Sequence, residues 1–466
     1  METQKRQKMK NRTGKTNASS FRDPDGFIFS KDNTLYRQVN KICKDRYDLL
    51  INSGLYKELV KKNLLVPHKE IPIKFALNKE AYRLIKPEII PFISYPYEWS
   101  FSQLKDAALL TLEIQKTALN FGMTLKDASA YNIQFIGSKP IFIDTLSFEK
   151  YTEGMPWVAY RQFCQHFLST LALMSTTDLR FNLLLKEFID GIPLDFTSKL
   201  LPARSRFNLS LLTHLHLHAL NQKRMANKKV DVKNLKMNKF QMISLINNLI
   251  STIKKLEIKK QQTEWEKYYT FTNYSTKAFK EKGRILNNFL KDIKPKTVID
   301  LGANTGEFSK IAIKNGAYTI ACDIDPLAIE KAYLNHGGEK LLHPIIIDLT
   351  NPSPAIGWSN KERKSFSERV NVDCVIAFAL IHHLAISNNL PFSLIAEYFS
   401  SLGKYLIIEF VPKNDSKVKK LLQNREDIFF NYTQEKFEKD FKKFYNILDI
   451  NKIKESKRII YLLGKK

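Results

Sequence analysis

The stretch Val298-Ile299-Asp300-Leu301-Gly302-Ala303-Asn304-Thr305-Gly306-Glu307-Phe308-Ser309, followed by Ile320-Ala321-Cys322-Asp323-Ile324-Asp325, constrains the fold more than any other. An apolar strand runs into a turn bearing two glycines, then a helix, and a second apolar strand ends in acid. That order begins an open parallel sheet with crossover helices, an α/β fold. Gly302 and Gly306 carry no Cβ, so the backbone can turn sharply and approach a ligand closely. In such a sheet the ligand lies at the carboxyl ends of the strands, where the helix that follows directs its amides. Asp323 ends the next strand and is placed to accept hydrogen bonds from a ribose diol. The pattern reads as a nucleotide-cofactor site.

Its details depart from a dinucleotide fingerprint, because the spacing is Gly302-x-x-x-Gly306 with an acid, Asp300, just before it. That acid repels a pyrophosphate and suits an amino group. These residues resemble the first motif of the class I S-adenosylmethionine-dependent methyltransferases, and the likeness continues downstream. Ile345-Ile346-Ile347-Asp348 looks like the third strand, 373–384 like the fourth, Tyr405-Leu406-Ile407-Ile408-Glu409-Phe410 like the fifth, and 445–450 with 458–463 like a closing hairpin. The resemblance implies a Rossmann-like sheet of seven mostly parallel strands with an antiparallel closing strand. It implies S-adenosylmethionine as cofactor, held by Asp300, Gly302, Asn304, Gly306, Asp323, Ile324, Asp348 and Ala377. For a hydroxyl acceptor, His382 or His383 is the base candidate, since histidine titrates nearest neutral pH, with Glu409 second.

With 466 residues, at least two domains are expected: a basic tail over 1–20, a domain over 21–221, a basic helical connector over 222–275 and a cofactor domain over 276–466. Four cysteines lie far apart with no C-x-x-C pair. This argues for a reducing compartment and against a disulfide framework or a zinc knuckle, and no metal site is expected. No apolar run approaches the ~20 residues needed to span a bilayer, and the N-terminus lacks an apolar signal core, so a cytoplasmic location is expected. The net charge is +27. The tail carries +5 and residues 222–262 carry +9, so these segments could meet RNA, a membrane surface or an acidic partner. Within the connector, Met242, Ile246, Leu249, Ile253 and Leu256 trace one helical stripe that should dock on a domain or a second copy. Trp265, Tyr268, Tyr269 and Tyr274 form an aromatic cluster ahead of the cofactor strand, while Lys277 and Lys282 read as solvated residues of the lead-in helix.

The N-terminal half has its own constellation. Around the turn-rich Ile136-Gly137-Ser138-Lys139-Pro140, two apolar strands form a hairpin with Asp127, Asn132 and Asp144 about it. The spacings, five and then twelve, resemble those of the catalytic loop and metal-binding strand of the protein-kinase-like fold, which implies an α+β domain, ATP and Mg2+. Leu125 stands where that pattern has histidine, Thr145-Leu146 replaces Phe-Gly, and no Val-Ala-x-Lys strand or glycine-rich loop is evident. Asp25-Gly26-Phe27-Ile28-Phe29 with 34–39 could make an abbreviated hairpin of a first lobe, and 92–100 a hinge. Helices are expected over 157–174 and 206–220. In the latter His214, His216 and His218 alternate with leucines, and only the first and last share a face.

From about residue 21 onward, the Ser94-Tyr95-Pro96-Tyr97-Glu98-Trp99-Ser100 segment, the Asp300–Ser309 motif and Glu409-Phe410-Val411-Pro412 together resemble the bacterial methyltransferases of the NoeA nodulation-protein type. That resemblance implies methylation of a glycan or small-molecule acceptor. An RNA methyltransferase, or a kinase-like phosphotransferase fused to a methyltransferase, stays open.

Overall fold

The computed structural model describes residues 14–225, 236–258, 276–423 and 426–466. Most of the basic tail and the aromatic cluster of Trp265, Tyr268, Tyr269 and Tyr274 lie outside them, as does much of the connector. The chain folds into two halves. The N-terminal half opens with a five-stranded antiparallel sheet of β1 (Lys15–Thr16), β2 (Gly26–Lys31), β3 (Thr34–Asn40), β4 (His68–Ile71) and β5 (Ala81–Pro87). The strand order is β1-β2-β3-β5-β4, and the helices Lys44–Asn52 and Leu55–Lys61 lie between β3 and β4.

Residues 92–101 then form a buried link in which Trp99 donates to Ser94 Oγ (2.8 Å). A reciprocal cap starts the Phe101–Asn120 helix: Ser100 Oγ accepts from the Gln103 amide while the Gln103 side chain accepts from the Ser100 amide. Two short antiparallel pairs follow. The first joins β6 (Met123–Leu125) to β9 (Phe148–Lys150), and the second joins β7 (Ile133–Ile136) to β8 (Lys139–Phe142), the hairpin expected around Gly137. The rest of this half is helical, and the Lys239–Lys255 helix completes it. Met242, Ile246, Leu249 and Ile253 are buried against the Phe101–Asn120 helix and its neighbours, so the apolar stripe docks within its own chain.

The C-terminal half follows the Thr276–Ile293 helix with β10 (Thr297–Leu301), β11 (Tyr318–Asp323), β12 (Leu342–Ile346), β13 (Val372–Ala377), β14 (Gly403–Phe410), β15 (Tyr445–Lys452) and β16 (Ile459–Lys465). They form one sheet in the order β12-β11-β10-β13-β14-β16-β15. The pairs from β12 to β14 are parallel, and β16 runs antiparallel between β14 and β15, so the expected mostly parallel seven-stranded sheet is present. The central strands β10 and β13 are buried almost throughout and read as continuous apolar runs, as strands covered on both faces do. No described helix is long and apolar enough to cross a membrane.

The halves share a polar and apolar seam. Phe92 packs into the core of the seven-stranded sheet, and Leu327 and Tyr333 pack into the core of the N-terminal half. Glu98, fully buried, is paired with the Arg369 guanidinium. Tyr333 donates to Asp106 (2.7 Å), Gln103 donates to the Pro344 carbonyl (2.9 Å), and Ser138 N donates to the Glu339 carbonyl (3.1 Å).

Candidate functional site

The site grows from the turn after β10. Gly302 and Gly306 adopt φ of +75° and +83°, and Asn304 between them sits at +51°. A Cβ on Gly302 would meet Leu380 at an ordinary 3.5 Å, so the left-handed backbone, and not lack of space, is what favours glycine there. The amides of Gly302 and Ala303 both donate to the Cys322 carbonyl (2.9 Å), which fastens the turn to the end of β11. Asp300 lies beneath it, 2 % exposed, and accepts a hydrogen bond from Ser309 Oγ (2.6 Å). Burial raises its pKa to about 6; the Ser309 bond opposes this and the charge of Asp323 adds to it. Asp323, at the β11 end, accepts from the amides of Asn304 (2.8 Å) and Asp325 (2.9 Å). Burial lifts it to about 6 as well, against the pull of those amides.

A cavity of about 330 Å³ opens over this turn at the carboxyl ends of the strands. Asp300, Gly302, Asn304, Asp323, Ile324 and Asp348 all line it, as do His383, Phe378 and Ala379. Gly306, Ala377, His382 and Glu409 do not reach it. Gly306 supports the turn. Ala377 is fully buried, and the residues offered to the cavity are the two that follow the end of β13, Phe378 and Ala379. Asp348 lies two residues beyond β12 and accepts from the Thr350 amide and hydroxyl (2.8 and 2.6 Å). The donor set fits S-adenosylmethionine. Asp300 can take the amino group, Asp323 the ribose hydroxyls and Asp348 the adenine amino group, with Ile324 as a half-exposed apolar wall.

The two histidines separate. His383 lines the cavity; burial lowers its pKa to about 4, helped by the charges of Arg458 and Lys417, so it is neutral at pH 7. His382 is 1 % exposed, and neither of its ring nitrogens has a hydrogen-bond partner among the described residues. Burial holds it well below the usual histidine range. It packs 4.2 Å from the His383 ring, centroid to centroid, and does not touch the cavity.

Glu409 is committed elsewhere. It accepts from Lys282 Nζ (2.7 Å) and from the Ala379 amide (2.7 Å), and Arg458 approaches its other oxygen at 3.4 Å while also pairing with Asp415 (2.7 Å). The Ala379 backbone sits at φ +50°, a strained value for a residue with a Cβ, so Glu409 clamps the turn that faces the cavity. Expected as the second base candidate, Glu409 is fully buried, stands outside the cavity lining and is held by these contacts.

Lys282 is the residue that sequence reading missed. It is 2 % exposed, lines the cavity, and lies about 5 Å from the Phe308 and Phe378 ring centres. The available signal was its phase: Ala278, Lys282, Ile285 and Phe289 are all buried on one helical face.

Asp127, Asn132 and Asp144 are brought together in the N-terminal half, away from this cavity. Asp144 accepts from Ser147 Oγ (2.6 Å), which in turn accepts from the Asn132 amide group (3.3 Å). Burial raises the pKa of Asp127, and the charge of Asp144 adds to the effect. His214 bonds Tyr160 and Asn248 (both 2.7 Å), and His216 lies between Ser198 and Ser205 (2.7 and 2.8 Å). Among the described residues no three His, Cys, Asp or Glu are grouped to hold a metal ion, and the four cysteines are free and buried.

No family model matches the chain. Several solved methyltransferases are similar to it. One is the N-methyltransferase NodS from Bradyrhizobium japonicum WM9, at 9% identity over 41% of this chain and 98% of that one, with a TM-score of 0.32. Another is magnesium protoporphyrin IX methyltransferase from Synechocystis PCC 6803 with bound S-adenosylhomocysteine, at 15% identity over 43% and 93%, with a TM-score of 0.31. The nodulation protein NoeA of Rhizobium meliloti (strain 1021) is 35% identical over 455 residues, 95% of each chain. The chain belongs to the family of the nodulation protein NoeA.

Proposed function

We propose that the chain is an S-adenosylmethionine-dependent methyltransferase acting on oxygen or nitrogen of a glycan or small-molecule acceptor. The observation that carries this reading is one cavity, at the carboxyl ends of β10, β11, β12 and β13, that gathers Asp300, Asp323, Asp348 and His383. When bound, the cofactor supplies an electrophilic methyl group on a sulfonium. The protein then has to hold the acceptor in line and exclude water, effects that together reach ~7 to 11 kcal/mol. Phe279, Phe308 and Phe378 make an apolar end to the cavity, with ring centroids 5.1 and 5.0 Å apart along the series, and this end keeps water out. Neutral His383 takes the proton of a hydroxyl acceptor at a ring nitrogen. Glu409 and Lys282 hold the Ala379 turn in place beside it.

The reading is tested by calorimetry with S-adenosylmethionine, followed by incubation with methyl-labelled cofactor and fractionated cell extract. Binding that Asp323→Asn weakens, with label appearing in a small or saccharide fraction, supports it. Absence of cofactor binding refutes it, and label confined to RNA refutes the acceptor class.

For the N-terminal half we propose a protein-kinase-like fold. The strand order β1-β2-β3-β5-β4, the two helices between β3 and β4, the link at 92–101 and the β7–β8 hairpin beside Asp127, Asn132 and Asp144 support that reading.

A further inference from the structure

The kinase-like pattern calls for a metal on Asp144 and nucleotide phosphates over the first strands, and the side chains present do not fit either. Arg37, on β3 and 8 % exposed, spans the cleft. One terminal nitrogen lies 2.6 Å from Asp144 Oδ1 and the other 3.0 Å from Asp23 Oδ2. Asp144 Oδ2 is taken by the Ser147 hydroxyl (2.6 Å), and its Oδ1 also accepts the Leu146 amide (3.0 Å). Both carboxylate oxygens are therefore in use. The segment before β2 adds two acids beside this pair: Asp23, and the buried Asp25, which is paired with both Arg46 and Lys126.

The charge balance points the same way. Four carboxylates, Asp23, Asp25, Asp127 and Asp144, face three cations, Arg37, Arg46 and Lys126, and each of those cations is already paired with one of the acids. No cation of this set is left over for a polyphosphate, and the acids repel one. A guanidinium matches two carboxylates geometrically and stays charged at any working pH, so it replaces a divalent ion as a permanent bridge.

We propose that this cleft is filled by its own side chains, with Arg37 standing on Asp144 in place of a metal. The N-terminal half is then a nucleotide-independent platform, held shut by ion pairs and docked on the edge of the seven-stranded sheet. The inference rests on the kinase-like reading of this half.

The test uses the full chain and follows thermal unfolding with and without millimolar ATP and Mg2+, in the wild type and in Asp144→Asn. S-adenosylmethionine binding serves as a control for folding. The expected result is no nucleotide effect on the wild type, and a lowered Tm in Asp144→Asn that ATP and Mg2+ leave unchanged. Arg37→Lys keeps one charge but cannot span two carboxylates, so it is expected to fall between the two. A nucleotide-induced rise in wild-type Tm that Asp144→Asn abolishes overturns the inference and leaves the kinase-like reading standing. A rise that survives in Asp144→Asn sinks the kinase-like reading itself. An unchanged Tm in Asp144→Asn also overturns the inference, because the ion pairs would then hold nothing.

Discussion

Replacing Asp300 by Asn separates what the cavity costs from what it does. Asp300 is 2 % exposed, and its pKa rises from 3.8 to about 6, chiefly because burial strips water from the charge. A carboxyl whose pKa rises on folding binds protons more tightly folded than unfolded. Stability is therefore greatest below the unfolded value near 3.8 and falls as pH climbs through about 6. At 1.36 kcal/mol for each tenfold change in proton affinity, the rise from 3.8 to about 6 makes ionised Asp300 cost about 3 kcal/mol at pH 7. Asparagine has the same shape, still accepts from Ser309 Oγ, and carries no charge. Without cofactor, Asp300→Asn should be more stable than the wild type at pH 7, by up to about 3 kcal/mol, and the advantage should vanish towards pH 4.

Cofactor binding should move the other way. Losing a charged partner for the ammonium of the cofactor removes about 1.5–3 kcal/mol, or roughly a 10- to 150-fold rise in Kd. The assay is urea unfolding at pH 4, 5.5 and 7, with calorimetry against S-adenosylmethionine at pH 7. A variant less stable than the wild type at pH 7 would mean that the Lys282 charge more than offsets the burial cost, and the reasoning fails. An unchanged Kd would falsify the assignment of Asp300 to the amino group.

Four further outcomes concern the cavity and the seam. His383→Ala should leave S-adenosylmethionine affinity unchanged while slowing transfer to a hydroxyl acceptor by roughly 10²–10⁴-fold. Because His383 titrates near 4 and Asp300 and Asp323 near 6, the wild type should lose activity as pH falls through about 6, and the variant should keep that same acid limb; a limb that disappears would assign it to His383 instead. Arg369→Ala leaves Glu98 buried without its guanidinium and should cost about 3–5 kcal/mol in urea unfolding; Arg369→Met with Glu98→Gln should recover most of it, and an equal loss in both would show that packing and not charge is at stake. Gly137→Ala puts a Cβ 2.2 Å from the Glu339 carbonyl at a φ of +60°, so it should loosen the two halves and speed proteolytic cleavage between them, whereas unchanged digestion would place the seam's strength elsewhere.

The residues that line the cavity were legible because their placement is local. A turn that needs left-handed backbone selects Gly302 and Gly306, and acids at strand ends need only the strands to be placed correctly. What failed to read were the residues whose role is set by packing between distant segments. Lys282 reads as solvated because a lysine usually is, yet its helix turns it inward onto Glu409, 127 positions away. Glu409 reads as a base for the complementary reason, since sequence gives no sign that Lys282, Arg458 and the Ala379 amide consume it. The paired histidines look equivalent on paper, and only the helix rotation after β13 sends one to the cavity and the other into the core.

The seam between the halves also protects an edge of the seven-stranded sheet. β12 is an edge strand, with β11 on one side only, and an exposed edge is both pliant and prone to wrong pairing. The N-terminal half covers it: Gln103 donates to the Pro344 carbonyl within the strand, and Ser138 N donates to the Glu339 carbonyl just before it. Four residues after Pro344 comes Asp348, which with Leu349 and Thr350 forms one wall of the cavity. The chain then returns to the N-terminal half, where Glu362 pairs with Arg22, the Lys364 amide donates to Tyr95 and Arg369 pairs with Glu98. That wall is thus held at both ends by the other half of the protein. Weakening the seam should therefore be felt first at Asp348 and last at Asp300, which hangs from the centre of the sheet.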